Sequence, residues 1–192
     1  MKLFEIKNRF TREVLFSAEC GSLKLCVEAA VNGCVDLSNS DLRNVDLSYA
    51  NLSNANFCNA NLYNANLSYS NLSNSDLRSV DLSYVNLYNA NLSNANLYNA
   101  NLYTANLRNA NLSNADLSDS DLHSVDLHNA NLYNANLNNA NLRSADLSNS
   151  DLRSVDLRNA DLRSADLSDS DLRRANLHSV DLHNANLSGI RE

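Results

Sequence analysis

Proline and tryptophan are absent from this 192-residue chain, and glycine occurs only three times. Its turns must therefore rest on other residues, and no stretch has the composition of a flexible linker. No apolar run is long enough for a membrane span. The opening Met1-Lys2-Leu3-Phe4-Glu5-Ile6-Lys7 meets charge too early for a secretory leader. The four cysteines, Cys20, Cys26, Cys34 and Cys58, form no CxxC pair, so the usual zinc and dithiol signatures are missing. A reduced, cytoplasmic location is the simplest expectation. Positive charge is scarce as well: 15 Lys+Arg face 22 Asp+Glu, a formal net charge of −7. That balance argues against nucleic acid or an anionic membrane as a direct ligand. There is no phosphate-cradling Gly loop and no Ser-His-Asp set.

What is present is a repeat. From Leu37 to Leu187 every fifth residue is Leu, with Phe57 the one exception, giving 31 consecutive units. Asp or Asn precedes each centre, and a small residue such as Val35, Ser40, Val45, Ala50 or Ala55 stands two before it. On an α-helix, five residues advance about 140° beyond a full turn, so the leucines would spiral around it without forming a stripe. On a straight strand an odd period would send successive leucines to opposite faces. Small–polar–Leu reads instead as a three-residue strand pointing in, out, in, followed by two residues that turn a corner. Four corners close a square of about 20 residues, a β-solenoid with four short faces. Asn is frequent at the second corner position, where it tolerates positive φ. Ser and Tyr also occur there, which leaves room for more than one turn type.

The run Ala50-Asn51-Leu52-Ser53-Asn54-Ala55-Asn56 matches the motif A(D/N)LXX. On this motif the chain resembles the pentapeptide-repeat family. The resemblance implies an all-β solenoid, a right-handed quadrilateral β-helix of about eight coils. At ~4.7–4.9 Å per layer the rod would be on the order of 37 Å long. Residues 35–189 are assigned to it, with 190–192 a C-terminal tail. Residues 1–34 break the period and read as an N-terminal cap. Leu3–Ile6 and Val14–Phe16 suggest two short strands around a polar turn. Ser22 is a good N-cap, Leu23, Val27, Ala30 and Val31 share one face, and Gly33 is a good stop, so a helix is expected near 22–32. Such an extension is also found on some bacterial and phage members of the family.

Folding the sequence at 20 residues sorts the outward side chains into columns. One column runs Asp36, Asn56, Asp76, Asn96, Asp116, Asn136, Asp156, Asn176, an alternation that keeps like charges apart. Another runs Asn51, Asn71, Asn91, Asn111, Asn131, Asp151, Asp171, whose asparagines suit a hydrogen-bonded ladder. Seven of the eight tyrosines lie in the first half of the repeats, with Tyr49 expected over Tyr69; arginines concentrate in the second half. Tyr49, Tyr69, Tyr63, Tyr103, Arg143 and Arg163 are the candidate interaction residues.

Catalytic chemistry is not expected. Asp119/Asp121 and Asp169/Asp171 merely follow the repeat, with no pocket to separate their pKa values. His123 and His183 share a column but stand three coils apart, ~14 Å, too far for one metal. Cys26 should pack within the helix, and Cys34 and Cys58 fall at outward corners. No cofactor or metal is expected. The leading functional reading is a structural or interaction rod with an unknown protein partner. The alternative, implied by the family resemblance, is a DNA-mimicking inhibitor or protector of DNA gyrase. The repeats carry 17 Asp and nine Arg, whereas B-DNA of rod length would carry about 22 negative charges at one per ~1.7 Å. At the C-terminal end, Leu172, Leu177, Leu182, Leu187 and Ile190 are expected to be exposed and to join two copies into a homodimer.

Overall fold

The computed structural model describes residues 2–192; of the predicted cap, only Met1 lies outside them. In the middle of the repeats, every backbone amide of a unit has an acceptor. Taking the unit Asn91–Ala95, Leu92 N–H donates to Asn111 C=O one coil ahead (2.7 Å), and Asn94 N–H to Ser113 C=O (3.0 Å). Asn91 N–H donates one coil back to Ser70 C=O (2.9 Å), and Ala95 N–H closes the corner on Leu92 C=O (3.0 Å). The remaining amide, that of Ser93, donates to the Asn91 side-chain Oδ1 at 3.1 Å. This explains why Asp or Asn always precedes the leucine. Both carry an oxygen two residues ahead of the one N–H that the coil-to-coil ladder cannot reach.

The faces pair through parallel bridges between residues 20 apart, from Asp41↔Asn61 through Asp171↔Arg191. The fold is thus a β-solenoid. Its interior is packed solid: Leu47, Leu92, Leu127 and Leu162 are fully buried, as is Phe57, the single non-leucine centre. Where serine takes the small inward position after the first coil, its hydroxyl finds a partner of its own, whereas the buried Ser40 hydroxyl has none. Ser70 Oγ donates to Leu67 C=O and Ser75 Oγ to Leu72 C=O, both at 2.7 Å. Below, each face is named by its first central leucine: Leu37, Leu42, Leu47 or Leu52.

The corners are more uniform than the mixed composition implies. The second corner residue has positive φ in every unit, whether Asn94 (58°), Ser79 (53°), Tyr69 (60°), Thr104 (56°) or Arg174 (66°). A single geometry holds because the coil-to-coil bonds on both sides of the corner leave the backbone no other path. Side-chain preference is overridden.

At the N-terminus, β1 (Lys2–Lys7) and β2 (Val14–Cys20) form an antiparallel hairpin, longer than the apolar runs indicate. The helix α1 (Leu23–Asn32) is capped by Ser22, whose side chain accepts from Leu25 N–H. It ends at Asn32 with Gly33 as the cap, but the left-handed residue is not the glycine. Gly33 has φ −82°, and the left-handed residue is Cys34 at 54°. Cys34 N–H bonds Val31 C=O and Val35 N–H bonds Ala30 C=O, the paired bonds of a Schellman motif. Ile6, Cys26, Val27 and Ala30 close over Leu37 and the first coil. This hairpin and helix also supply acceptors for the coil's open edge: Asp41 N–H donates to Lys7 C=O, and Asn51 N–H to the Glu28 carboxylate (2.9 Å). Arg12 and Arg43 both pair with Asp41 at 2.7 Å, and the Arg12 pair pins the hairpin to the rod.

The expected tail is part of the solenoid. Arg191 N–H bonds Ser170 C=O, and Leu172 N–H bonds Arg191 C=O. Leu172 is consequently buried and does not belong to the exposed end. Leu177 and Leu187 are exposed, and Leu182 and Ile190 are half-buried. Cys58 is likewise only half exposed, whereas Cys34 is open to solvent. Among the described residues, no helix is long and apolar enough to cross a membrane.

Candidate interaction surface

Leucine fills the interior, so the side chains that vary from unit to unit are the outward ones. Tyrosine is the largest side chain available there, and the corners gather it. Tyr49 stacks flat on Tyr69 (centroids 4.8 Å apart, 3° between planes), and Tyr69 meets Tyr88 edge-on at 5.5 Å. On the neighbouring corner, Tyr63, Tyr84 and Tyr103 form a second chain of edge contacts at 5.7 and 5.5 Å, continued by Tyr103 stacked on His123. The expected Tyr49–Tyr69 stack is present. Tyr63 and Tyr103 belong to one cluster, but through Tyr84, which column spacing alone does not reveal. A residue at the second corner position touches the first-position residue one coil away, a 19- or 21-residue step.

These two corners bound the Leu47 face. Its outward column begins as a hydrogen-bonded ladder. Asn66 Nδ2 donates to Asp46 (3.1 Å), Asn86 Nδ2 to Asn66 (3.3 Å) and Asn106 Nδ2 to Asn86 (3.1 Å). The ladder expected on the Leu52 face is also formed, from Asn71 on Asn51 to Asn131 on Asn111 (3.2 Å each).

In the second half of the rod, arginine pairs with several of the aspartates. Arg158 reaches back two residues to grip Asp156 through Nε and Nη2, and Arg173 grips Asp171 in the same way. Arg163 holds Asp161 and also approaches Asp181 one coil on, at 3.5 Å. The hydrogen bonds from these guanidinium groups hold the Asp156, Asp161 and Asp171 carboxyls below the usual carboxylate range. Among the described residues Arg143 makes no ion pair. Arg153 both pairs with Asp151 and lies over the Tyr133 ring, 5.5 Å from its centroid. A groove of about 340 Å³ opens there between Tyr133, Ser154 and Arg174. No three His, Cys, Asp or Glu side chains converge as a metal would need, among the described residues.

A leucine-filled β-solenoid with aromatic and zwitterionic corners is a repeat protein whose outward positions vary over a constant frame. Pentapeptide repeats match in eight copies, over residues 35–62, 60–97, 86–123, 120–159 and 156–191; the chain belongs to the pentapeptide repeat family. Its structural relatives include HetL from the cyanobacterium Nostoc sp. strain PCC 7120, a pentapeptide repeat protein involved in heterocyst differentiation regulation. HetL is 34% identical, with 82% of each chain covered and a TM-score of 0.43. Rfr23 from the cyanobacterium Cyanothece 51142 is 38% identical over 57% of this chain and 60% of its own, with a TM-score of 0.37. QnrB1, a plasmid-mediated fluoroquinolone resistance protein, is 17% identical over 80% of this chain and 82% of its own, with a TM-score of 0.45. No match was found among curated proteins.

Proposed function

We propose that this chain is a non-catalytic rod that presents a binding surface to a protein partner in the cytoplasm. The observation that carries this reading is the pairing of a solid leucine interior with two contiguous tyrosine clusters left in solvent. Tyrosine supplies large contact area while ordering only two torsions, so exposed tyrosine clusters suit recognition. Tyr49, Tyr69, Tyr63 and Tyr103 belong to that surface, and Arg143 and Arg163 extend it along the rod. Family membership supports a right-handed coil of about eight turns, capped by residues 1–34. The test is to substitute the outward residues of one face at a time in the native host and score the phenotype. The reading expects one face to carry the effect. Equal tolerance on all four faces would sink it.

The exposed Leu177 and Leu187, with Leu182 and Ile190 beside them, support a homodimer joined end to end through the C-terminal coil. Light scattering at about 50 µM should report a dimer mass, lost in Leu177→Asp/Leu187→Asp; effective dimers at this interface need micromolar affinity, about −8 kcal/mol. A monomeric mass for the native chain would refute the dimer.

DNA mimicry directed at gyrase is the alternative. The bidentate Asp–Arg pairs speak against it, because they cancel carboxylates that a phosphate mimic needs. A gyrase supercoiling assay, with and without quinolone, discriminates the two. Inhibition or protection at micromolar protein would overturn the scaffold reading in favour of mimicry.

A further inference from the structure

The corner that follows the Leu52 face changes character along the rod. Its first position is serine in each coil from Ser53 to Ser113, then Tyr133, Arg153 and Arg173. Its second position is asparagine from Asn54 to Asn134, then Ser154 and Arg174. Arg153 and Arg173 stand one coil apart. Arg174 is a 21-residue step from Arg153, the same step that brings Tyr84 against Tyr63 on another corner. The groove of about 340 Å³ at this corner is lined by Tyr133, Arg153, Ser154, Arg173 and Arg174, and no carboxylate lines it.

Like charges one coil apart repel by about 1 kcal/mol even in water. Aspartates outside the groove offset that repulsion for two of the three arginines. Arg153 uses Nε and Nη2 for Asp151 (2.7 and 2.5 Å), and Arg173 uses the same atoms for Asp171 (2.9 and 2.6 Å). Asp151 and Asp171 lie in the neighbouring hollow on the Leu52 side, with Asp169 and Arg191. Each guanidinium is thus fixed by one edge, and its Nη1 makes no hydrogen bond among the described residues. Arg174 makes neither an ion pair nor a side-chain hydrogen bond among them. Bidentate pairs elsewhere, such as Arg43–Asp41 and Arg78–Asp76, have no second such pair one coil away. Among the described residues, only this corner stacks two of them in register, with an unpaired arginine beside them.

We propose that this groove is a binding site for a phosphate group. A phosphate monoester carries about −1.5 to −2 charge at neutral pH and three acceptor oxygens. Those oxygens can take the free Nη1 groups of Arg153 and Arg173 together with the Arg174 guanidinium. A carboxylate matches a single guanidinium fork, which is the part Asp151 and Asp171 already play from the other side. The Ser154 hydroxyl adds a further donor. The Tyr133 ring, 5.5 Å from the Arg153 guanidinium, forms an apolar wall for whatever carries the phosphate. The volume is at the small end of ligand sites, so the groove suits a phosphate and a small substituent. The site lies on later coils than the tyrosine clusters and stands apart from the interaction-rod reading.

The experiment is a phosphorus NMR titration of phenyl phosphate with the full chain. Saturable binding with a Kd of about 0.1–1 mM is expected. Arg174→Ser installs the residue found one coil earlier, at Ser154, and should weaken binding about tenfold through loss of charge-assisted hydrogen bonds. Tyr133→Ser restores the residue of the earlier coils and should weaken it about threefold through lost ring contact. Arg78→Ser removes the same charge from a distant corner and should leave affinity within about twofold, since exposed charges beyond a Debye length are screened. Equal losses from Arg174→Ser and Arg78→Ser would overturn the proposal in favour of bulk charge attraction. Phenyl sulfate has the same shape with less charge, and equal affinity for it would overturn the assignment to phosphate. Inorganic phosphate binding as tightly as phenyl phosphate supports a site for the free ion, and weaker binding supports one for a phosphate carried by a larger molecule. Absence of binding at about 10 mM phenyl phosphate, ten times the expected range, would refute the site.

Discussion

Leucine is the most conspicuous residue of the repeat, but the asparagine or aspartate before it governs the backbone. Its Oδ1 is the acceptor for the N–H that the ladder leaves behind, as Asn91 shows for Ser93. Replacing Asn91 with Ala should therefore cost about 1–3 kcal/mol by stranding that amide, whereas Asn91→Asp keeps the acceptor and should cost less. Chemical denaturation of the two variants checks the order. Residue-scale strain is placed just as specifically. Cys34 occupies the left-handed position of the Schellman motif with a side chain that pays the Cβ penalty there. Cys34→Gly should raise stability by about 1 kcal/mol, read as an increase in Tm. At the other end Gly189 has φ 71°, and a Cβ there would collide with Asp169 Oδ1. Gly189→Ala should loosen the final coil while leaving the cap intact, visible as faster amide exchange at Asp169 and Leu172 only.

At the scale of elements, the hairpin and α1 do for the first coil what a further coil would do. They lend its amides acceptors, the Lys7 carbonyl and the Glu28 carboxylate, and cover its leucines with Ile6, Val27 and Ala30. The joint is electrostatic at its rim. Hydrogen bonds from Arg43 and then Arg12 hold the Asp41 carboxyl at about 2. Because this folded-state value is depressed, its stabilising contribution is complete above the ordinary carboxylate range near 4 and disappears as pH falls through about 2. Between pH 4 and 2 the native chain should lose Tm faster than Asp41→Asn, which has no charge left to lose there. A thermal melt series across that window, with both proteins showing the same slope, would remove Asp41 from the account.

For the whole molecule, each coil contacts only its neighbours, so stability should be graded and not uniform. Amide exchange should be slowest near Leu92 and Leu127, in the middle of the rod, and fastest beyond Leu177, where the leucines are exposed. If the last coil is buried in a dimer, that gradient should flatten with protein concentration. Charge is also distributed at this scale. Asp–Arg pairs make the Leu52 face locally neutral over its last coils, and the Leu47 face holds aspartate without arginine beyond Asp126. Side chains thus make the rod directional around its axis although its frame is the same on all four faces.

The five-residue spacing of leucine by itself determined the solenoid, its 20-residue coil, the inward leucines and the asparagine ladder. Each of those follows from local periodicity once four corners must close a square. The Tyr49–Tyr69 stack was legible for the same reason, being a step of one whole coil. What periodicity left undecided lies between columns or between segments. Tyr84 joins Tyr63 to Tyr103 across a corner, Cys34 takes the left-handed site in place of Gly33, and Arg191 folds onto Ser170 to bury Leu172. Those outcomes depend on which side chains and carbonyls meet in space, and only the tertiary structure brings them together.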